Sequence, residues 1–371
     1  MMMFMGLAAI NSQANLLFGV FGLMIGILIV SILISGQVLR KLSVQRILPE
    51  HGVVGRPMAI SYELHNRKRF WPSLSVTIAE LDDTDAFQRQ PLAYMMHTAA
   101  RTTTLISSPL TPTRRGLHHL DRHQVLTSFP FGFIRRATML SHKDSLLVYP
   151  ALAEVDQKLI QMCQSAELSG SVMRPRRGGS DEFFGVKEFR SGENPRWIYW
   201  RRSARTGTLV SKEMTHVSPP RFMILMDMHI PQRTPAAHAA VERAIAMAAS
   251  MVGEMSRQGL PIGLLVWSNR WIYFPPNRGK RHCRDVLSIL AQLPLNKSFG
   301  LPALLSEGYR LQKSGTTAML ITPQRFQLSL GDQARGNLFV LSPDAPQTEK
   351  WFKFESPVDF ANCMPVDQQL E

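Results

Sequence analysis

Cysteine is scarce: Cys163, Cys283 and Cys363 are the three in 371 residues. They lie far apart and form no C-x-x-C pair, which excludes a zinc-ribbon spacing and a disulfide framework. A sparse, odd set reads as ordinary thiols in a reducing compartment. No histidine motif accompanies any of them to make a thiol nucleophile. Catalytic signatures are missing too. The chain has no H-E-x-x-H, no G-x-S-x-G and no G-x-x-x-x-G-K-[ST]. Gly279-Lys280 is followed by Arg281, and the stretch before it lacks the first glycine of a phosphate loop. The positive case for an enzyme is thereby removed, and no cofactor is expected. Acids are few: 28 Asp and Glu against 42 Lys and Arg leave a net charge of +14. That balance points to an anionic neighbour such as lipid head groups, nucleic acid or an acidic protein. No segment is biased enough in composition to be disordered.

What the chain does have is one long apolar run. Residues 16–35 read LLFGVFGLMIGILIVSILIS and carry no charge. Roughly 20 apolar residues suffice to cross a bilayer as a helix, so a transmembrane helix is predicted over residues 14–36. A buried soluble helix is the alternative. No Lys or Arg precedes the run, so the basic n-region of a signal peptide is absent. Arg40, Lys41 and Arg46 follow it. By the positive-inside rule that end stays in the cytoplasm, and with it everything from Arg40 onward. Residues 1–10 are apolar but too short to span alone, and are expected to be the end of a first spanning helix. Gly22 and Gly26 form a G-x-x-x-G, either a helix-pairing surface or a chance pair.

Residues 42–150 read as short strands. Met58, Ile60, Tyr62 and Leu64 alternate with Ala59, Ser61 and Glu63, and Leu74, Val76 and Ile78 repeat the pattern. This is the period of a half-buried strand. Pro72, Pro109, Pro112 and Gly116 punctuate the runs. A β-sandwich is the natural reading. Residues 151–180 show weak periodicity and include a basic loop at residues 174–180, RPRRGGS. From Arg221 the pattern changes. FMILMD at residues 222–227 is a continuous apolar strand ending in Asp227. Thr234 before Pro235 is a helix start, Val241, Ile245, Ala248, Val252 and Met255 follow at helical spacing, and Gly259 is placed to end the helix. IGLLVW at residues 262–267 is the next buried strand. Helices are predicted over 281–293 and 301–312, and strands over 317–321 and 338–341. Apolar strands alternating with helices imply an α/β domain with a mostly parallel sheet over 216–371. Residues 151–215 are left to join the two folded parts.

The joining segment is dense in functional side chains. Lys187, Arg190, Arg196, Arg201, Arg202 and Arg205 are interleaved with Asp181, Glu182, Glu188 and Glu193, and with Phe183, Phe184, Phe189, Trp197, Tyr199 and Trp200. Arginine makes planar bidentate contacts to carboxylates and aromatics form rigid anchors, so a partner-binding surface is one reading. The other is an ion-pair network that locks the β part onto the α/β part. Glu188, Arg190 and Trp200 are assigned to the structural role, and Arg201-Arg202 to partner contact. Aromatics beside arginines also suit nucleic-acid stacking. His119, Asp121 and His123 alternate along one stretch, which on a strand would put all three on one face, within reach of a zinc ion. Surface histidines are the commoner explanation.

Residues 181–213, DEFFGVKEFRSGENPRWIYWRRSARTGTLVSKE, closely resemble the signature of the bacterial family called domain of unknown function 58. The positions that carry it are Arg190, Gly192, Glu193, Arg196, Trp200, Ser203, Ala204, Arg205, Lys212 and Glu213. The similarity extends to residues 39–49, Pro130-Phe131-Gly132, Val148-Tyr149-Pro150, Asp227 and residues 259–266. The resemblance implies a membrane-anchored protein of the bacterial inner membrane with a von Willebrand factor A-like α/β domain. Such proteins are associated with MoxR-type AAA-plus ATPases and transglutaminase-like proteins. It implies a scaffold or adaptor for assembly or maturation of a client, with no established activity. A binding module for anionic lipid or nucleic acid, or a metal-dependent enzyme, is the alternative. Domains of the von Willebrand type often bind magnesium through Asp-x-Ser-x-Ser. Here Asp227 stands, but His229 and Pro231 replace the serines. Asp227 is thus a degenerate metal candidate, and no metal is expected.

Overall fold

The computed structural model describes residues 2–12, 15–81, 86–88, 91–170, 177–215, 220–229, 234–295, 300–312, 316–324, 338–355, 358–361 and 363. The chain is a mixed α/β protein in two compact units. One comprises Met1–Leu152, Leu287–Leu295 and Phe354–Glu371; the other comprises Ala153–Val286 and Asn296–Lys353.

The first unit opens with α1 (Met2–Ser12), which packs on α2 (Asn15–Leu39). Among the described residues α2 is the one helix long and apolar enough to cross a membrane. It runs three residues past the expected limit of 36. Its last carbonyls have acceptor capacity that a helix end cannot satisfy internally. Here Lys68 supplies the donors: its Nζ lies 2.7 Å from the Val38 carbonyl oxygen and 3.1 Å from that of Gln37. Lys41, at φ 54, then turns the chain out of the helix.

Eight strands follow: β1 (Leu42–Ile47), β2 (Gly52–Val53), β3 (Met58–Asn66), β4 (Ser73–Glu80), β5 (Leu92–Thr98), β6 (Thr103–Leu110), β7 (Gly116–Thr127) and β8 (Arg136–Tyr149). They form a three-stranded sheet β1-β3-β6 and a five-stranded sheet β2-β8-β7-β4-β5. All pairs are antiparallel except β2 with β8. The two-residue period decides the inner faces: Ile60, Tyr62 and Leu64 of β3, and Val76 and Ile78 of β4, are fully buried. Each such side chain stabilises the fold by about 1.5–3 kcal/mol.

Polar groups join the two sheets through that interior. Arg46 of β1 donates through Nε and Nη2 to both carboxylate oxygens of Glu80 on β4, at 2.9 and 2.6 Å. Its Nη1 reaches Asp144 of β8 at 2.7 Å and the Leu120 carbonyl at 2.8 Å. The Tyr62 hydroxyl donates to Glu80 at 2.8 Å. Arg115, also fully buried, donates to the carbonyls of Leu290, Ala291 and Leu293 at 3.1, 2.9 and 2.9 Å. Those carbonyls belong to the end of a helix. They explain why residues 287–295, expected in the α/β part, cluster with the first unit.

The second unit contains β9 (Glu154–Val155), α3 (Gln157–Gly170), β10 (Arg177–Glu188), α4 (Trp200–Thr206), β11 (Val210–Thr215), β12 (Arg221–Met226), α5 (Pro235–Arg257), β13 (Ile262–Ser268) and β14 (Arg270–Asn277). After α6 (Lys280–Gln292), whose second half falls in the first unit, come α7 (Leu301–Leu311), β15 (Thr316–Ile321), β16 (Leu338–Leu341), α8 (Thr348–Trp351) and β17 (Phe352–Lys353). The main sheet has the order β14-β13-β12-β15-β16. Its pairs are parallel except β13 with β14. Thr234 caps α5, its Oγ1 accepting from the Ala237 N–H at 3.2 Å, and Pro235 takes the first turn. The core strands β12 and β15 are buried along nearly their whole length. That is the burial expected of a parallel sheet covered on both faces.

Candidate functional site

The signature segment folds as a hairpin of β10 and β11 with a lobe between its strands. Phe189 donates its N–H to the Leu209 carbonyl, and Tyr199 its N–H to that of Val210, both at 2.8 Å. The lobe is shaped by three local devices. The Glu193 N–H closes a turn onto the Arg190 carbonyl at 3.1 Å, with Gly192 at φ 100 as the third residue, the position where such a turn needs positive φ. Asn194 caps the short 3-10 turn Pro195–Trp197, its side chain accepting from the Arg196 N–H. Gly207, left-handed at φ 72, ends α4.

Two buried or half-buried side chains hold the lobe to β11. The Ser203 Oγ accepts from the Val210 N–H at 2.9 Å. Glu193 accepts from Lys187 Nζ at 2.6 Å through one oxygen and from the Ser211 hydroxyl at 3.0 Å through the other. The Lys187 hydrogen bond, first among several, holds the Glu193 carboxyl below its ordinary range.

Most of the charged signature positions point to solvent. Arg190, Gly192, Arg196, Trp200, Arg201, Arg202, Ala204, Arg205 and Lys212 are all exposed, Trp200 at 63%. None of these arginines makes an ion pair among the described residues; Lys187 with Glu193 is the local exception. Lys212 Nζ lies 5.1 Å from the centre of the Tyr199 ring. Glu188, Arg190 and Trp200, expected in structural roles, are all three exposed. The backbone of Asp181 lies in β10, while its side chain is outside the described residues; of the basic loop expected at 174–180, residues 174–176 are outside the described residues and residues 177–180 are strand, part of β10. The result is a basic surface with two exposed tryptophans, Trp197 and Trp200, carried on a clasped lobe.

A second place of interest is the C-terminal edge of the parallel sheet between β12 and β15. The chain leaves β12 toward β13 on one side, while β15 flanks β12 on the other, which makes this a topological switch point. Asp227 sits there, 5% exposed. It accepts from the His229 N–H and from the Thr322 hydroxyl, both at 2.9 Å. Burial raises its pKa, and the two hydrogen bonds oppose that shift. Magnesium requires an oxygen-rich octahedral shell. Both Asp227 oxygens are already engaged by protein donors, and position 229 offers an imidazole instead of a hydroxyl. Pro231 is outside the described residues. The donor set present does not fit the ion, and no group of three or more metal-ligating side chains gathers among the described residues.

The other expected sites also resolve. A bulge between Leu120 and Arg122 breaks the alternation of β7. His119 and Asp121 face solvent while His123 is buried beside Arg46, so the three share no face. Burial pushes the Cys163 thiol up to about 12 and raises that of Cys283, which keeps both protonated and inert.

With the signature lobe and the switch point in place, the matched region is informative. Residues 185–322 match the family described as "Protein of unknown function DUF58". Over this segment the chain is similar to the DUF58 family. The DUF58 match begins inside β10 and ends on Thr322, the residue that holds Asp227. It therefore takes in both the exposed lobe and the switch-point carboxyl. The chain is also similar to "Uncharacterized protein YeaD" of Bacillus subtilis (strain 168), 25% identical over 186 residues. That alignment covers 50% of this chain and 45% of YeaD, so the chain spans less than half of that relative. A solved structure titled "AvmM Catalyzes Macrocyclization in Alchivemycin A Biosynthesis" is 12% identical, with a TM-score of 0.17, covering 28% of this chain and 88% of its own. A likeness that weak carries no argument.

Three features of the site escape sequence reasoning: the β10–β11 hairpin, the Glu193 clasp and the Ser203 anchor. The signal that could have found them is the pair of glycines, Gly192 and Gly207, bracketing a short helix between two alternating stretches.

Proposed function

We propose that the protein is a membrane-anchored, non-enzymatic adaptor that docks an acidic partner on the exposed lobe at residues 190–212. One observation carries this reading: five arginines, one lysine and Trp200 stand exposed on the DUF58 signature, and its arginines have no carboxylate partner among the described residues. Exposed arginines beside a protruding tryptophan match the anchors that dominate protein interfaces. A MoxR-type AAA-plus ATPase is the partner that the family resemblance implies, with a transglutaminase-like protein as a second. The 25-residue apolar helix α2 supplies the anchor, and the basic residues after it favour a cytoplasmic orientation. The strand order around β12, with its antiparallel edge strand, supports a von Willebrand factor A-like reading of the second unit.

The test is crosslinked affinity purification from native membranes of wild type and of Arg201→Glu/Arg202→Glu. Recovery of an AAA-plus ATPase with wild type and its loss from the variant is expected. Equal recovery with both would move the contact elsewhere, and recovery of none would remove the adaptor reading.

A further inference from the structure

We propose that the first unit docks on the anionic face of the bilayer through two aromatic and basic loops, residues 67–72 and 128–135, beside the C-terminal end of α2. The proposal rests on the membrane-spanning reading of α2 and adds a second, peripheral contact to it.

The first loop is bound to the helix end directly. Lys68 Nζ, which caps Val38 and Gln37, also donates to the Ser73 hydroxyl at 2.6 Å, and that hydroxyl donates to the Val38 carbonyl at 3.0 Å. The Arg67 N–H donates to the Lys41 carbonyl at 3.1 Å. Asn66 fixes the loop from behind, donating to the Trp71 carbonyl and accepting from the Lys68 N–H. Arg136, next after the second loop, presses on the helix: a Cβ at Gly36 would sit 3.0 Å from its Nη1. Phe70 and Trp71 are two and three residues from Lys68. At about 3.5 Å per residue they lie within roughly 10 Å of that attachment.

Depth follows from length. Ser31, Ser35, Val38 and Leu39 of α2 are buried by the unit itself, and the helix packs on β4, β7 and β8. Ile32 and Leu33, on the uncovered side, are 46% and 65% exposed, so residues 15–33 remain to face lipid, about 28 Å of helix at 1.5 Å per residue. The hydrocarbon core is about 30 Å thick. A helix that spans it draws the bilayer surface onto the stretch where the unit already covers α2. The adjoining loops then meet the head groups.

Their chemistry suits that place. Phe70, Trp71 and Phe133 are 75%, 64% and 73% exposed, and Phe131 is half exposed. The Phe131 and Phe133 rings lie 6.4 Å apart, and the Arg69 guanidinium sits 5.0 Å from the centre of the Phe70 ring. Aromatic rings belong at the level of the head groups, and arginines beside them reach lipid phosphates.

Trp71 itself reports the contact, because α1 and α2 contain no tryptophan. The full chain is reconstituted in vesicles of phosphatidylcholine mixed with phosphatidylglycerol. Quenching of tryptophan fluorescence by lipids brominated near the head group is read for wild type, Trp71→Ala, and Trp71→Ala/Phe133→Trp. Quenching is expected to fall at least about twofold in Trp71→Ala and to return with Phe133→Trp. Equal quenching in wild type and Trp71→Ala overturns the proposal and leaves the patch to a protein partner. Loss without return removes the second loop from the contact. Carbonate extraction separates this from the anchor: a chain that resists extraction yet shows no Trp71 quenching spans without docking, and a chain that is extracted does not span.

Discussion

Arg46 and Glu80 meet face on between two sheets, through two hydrogen bonds of 2.9 and 2.6 Å, with side chains 0% and 1% exposed. Asp144 and the Leu120 carbonyl accept from Nη1 of the same guanidinium. A pair this deep is costly to bury and costlier to break. Arg46→Met is expected to cost about 3–5 kcal/mol, because it leaves Glu80 buried and uncompensated. Arg46→Met/Glu80→Gln is expected to recover part of that loss. Denaturant midpoints in detergent check both.

His123 gives this cluster a pH dependence. Burial, ahead of the nearby charges of Glu80, Arg46, His142 and Asp144, lowers its pKa below 6.5. The unfolded chain then binds a proton that the folded chain refuses, so stability falls as pH drops below about 6.5 and down through the native value. His123→Leu is expected to flatten that part of the profile, measured as unfolding midpoint against pH.

Asp227 behaves in the opposite sense. Its raised pKa means that folding loses stability as pH rises from 3.8 through the native value. Asp227→Asn keeps an acceptor for the His229 N–H and offers Thr322 a donor. It is expected to be neutral or stabilising near pH 7. Asp227→Ala strands both partners and is expected to lose about 1–3 kcal/mol. Thermal midpoints measured with and without magnesium are expected to agree, and a rise with magnesium would restore the metal-site reading.

Ser203 holds the arginine-bearing helix to β11 through the Val210 N–H. Ser203→Ala leaves that buried donor unmet and is expected to cost about 1–2 kcal/mol. The loss is local, so hydrogen exchange at residues 199–211 is expected to rise first.

Much of the architecture is legible in the sequence where its cause is local. The apolar run of α2, the Thr234-Pro235 start of α5 and the continuous strand β12 need only neighbouring residues to specify them. Other elements are illegible for stated reasons. β14 carries Pro275 and Pro276, which read as breakers, yet they are tolerated on an edge strand. The 14-residue α3 has an amphipathic pattern too weak to see by periodicity. The bulge after Leu120 reverses the side on which His123 lies, and nothing local announces it. In the site, the arginines are visible by composition. Their exposure is not, because exposure depends on what fails to pack against Trp200 and Arg190.

The first unit is discontinuous: residues 1–152 need residues 287–295 and 354–371 to complete it. Arg115 finds its acceptors 175 to 178 positions later. Synthesis delivers the chain in order, at about 5–20 residues per second. The β sheets beside α2 therefore wait, with the Arg115 guanidinium still hydrated, while residues 153–286 of the second unit are made. A ribosome stalled shortly after residue 280 holds a chain in which neither unit is complete, since β15 and β16 of the second are also still to come.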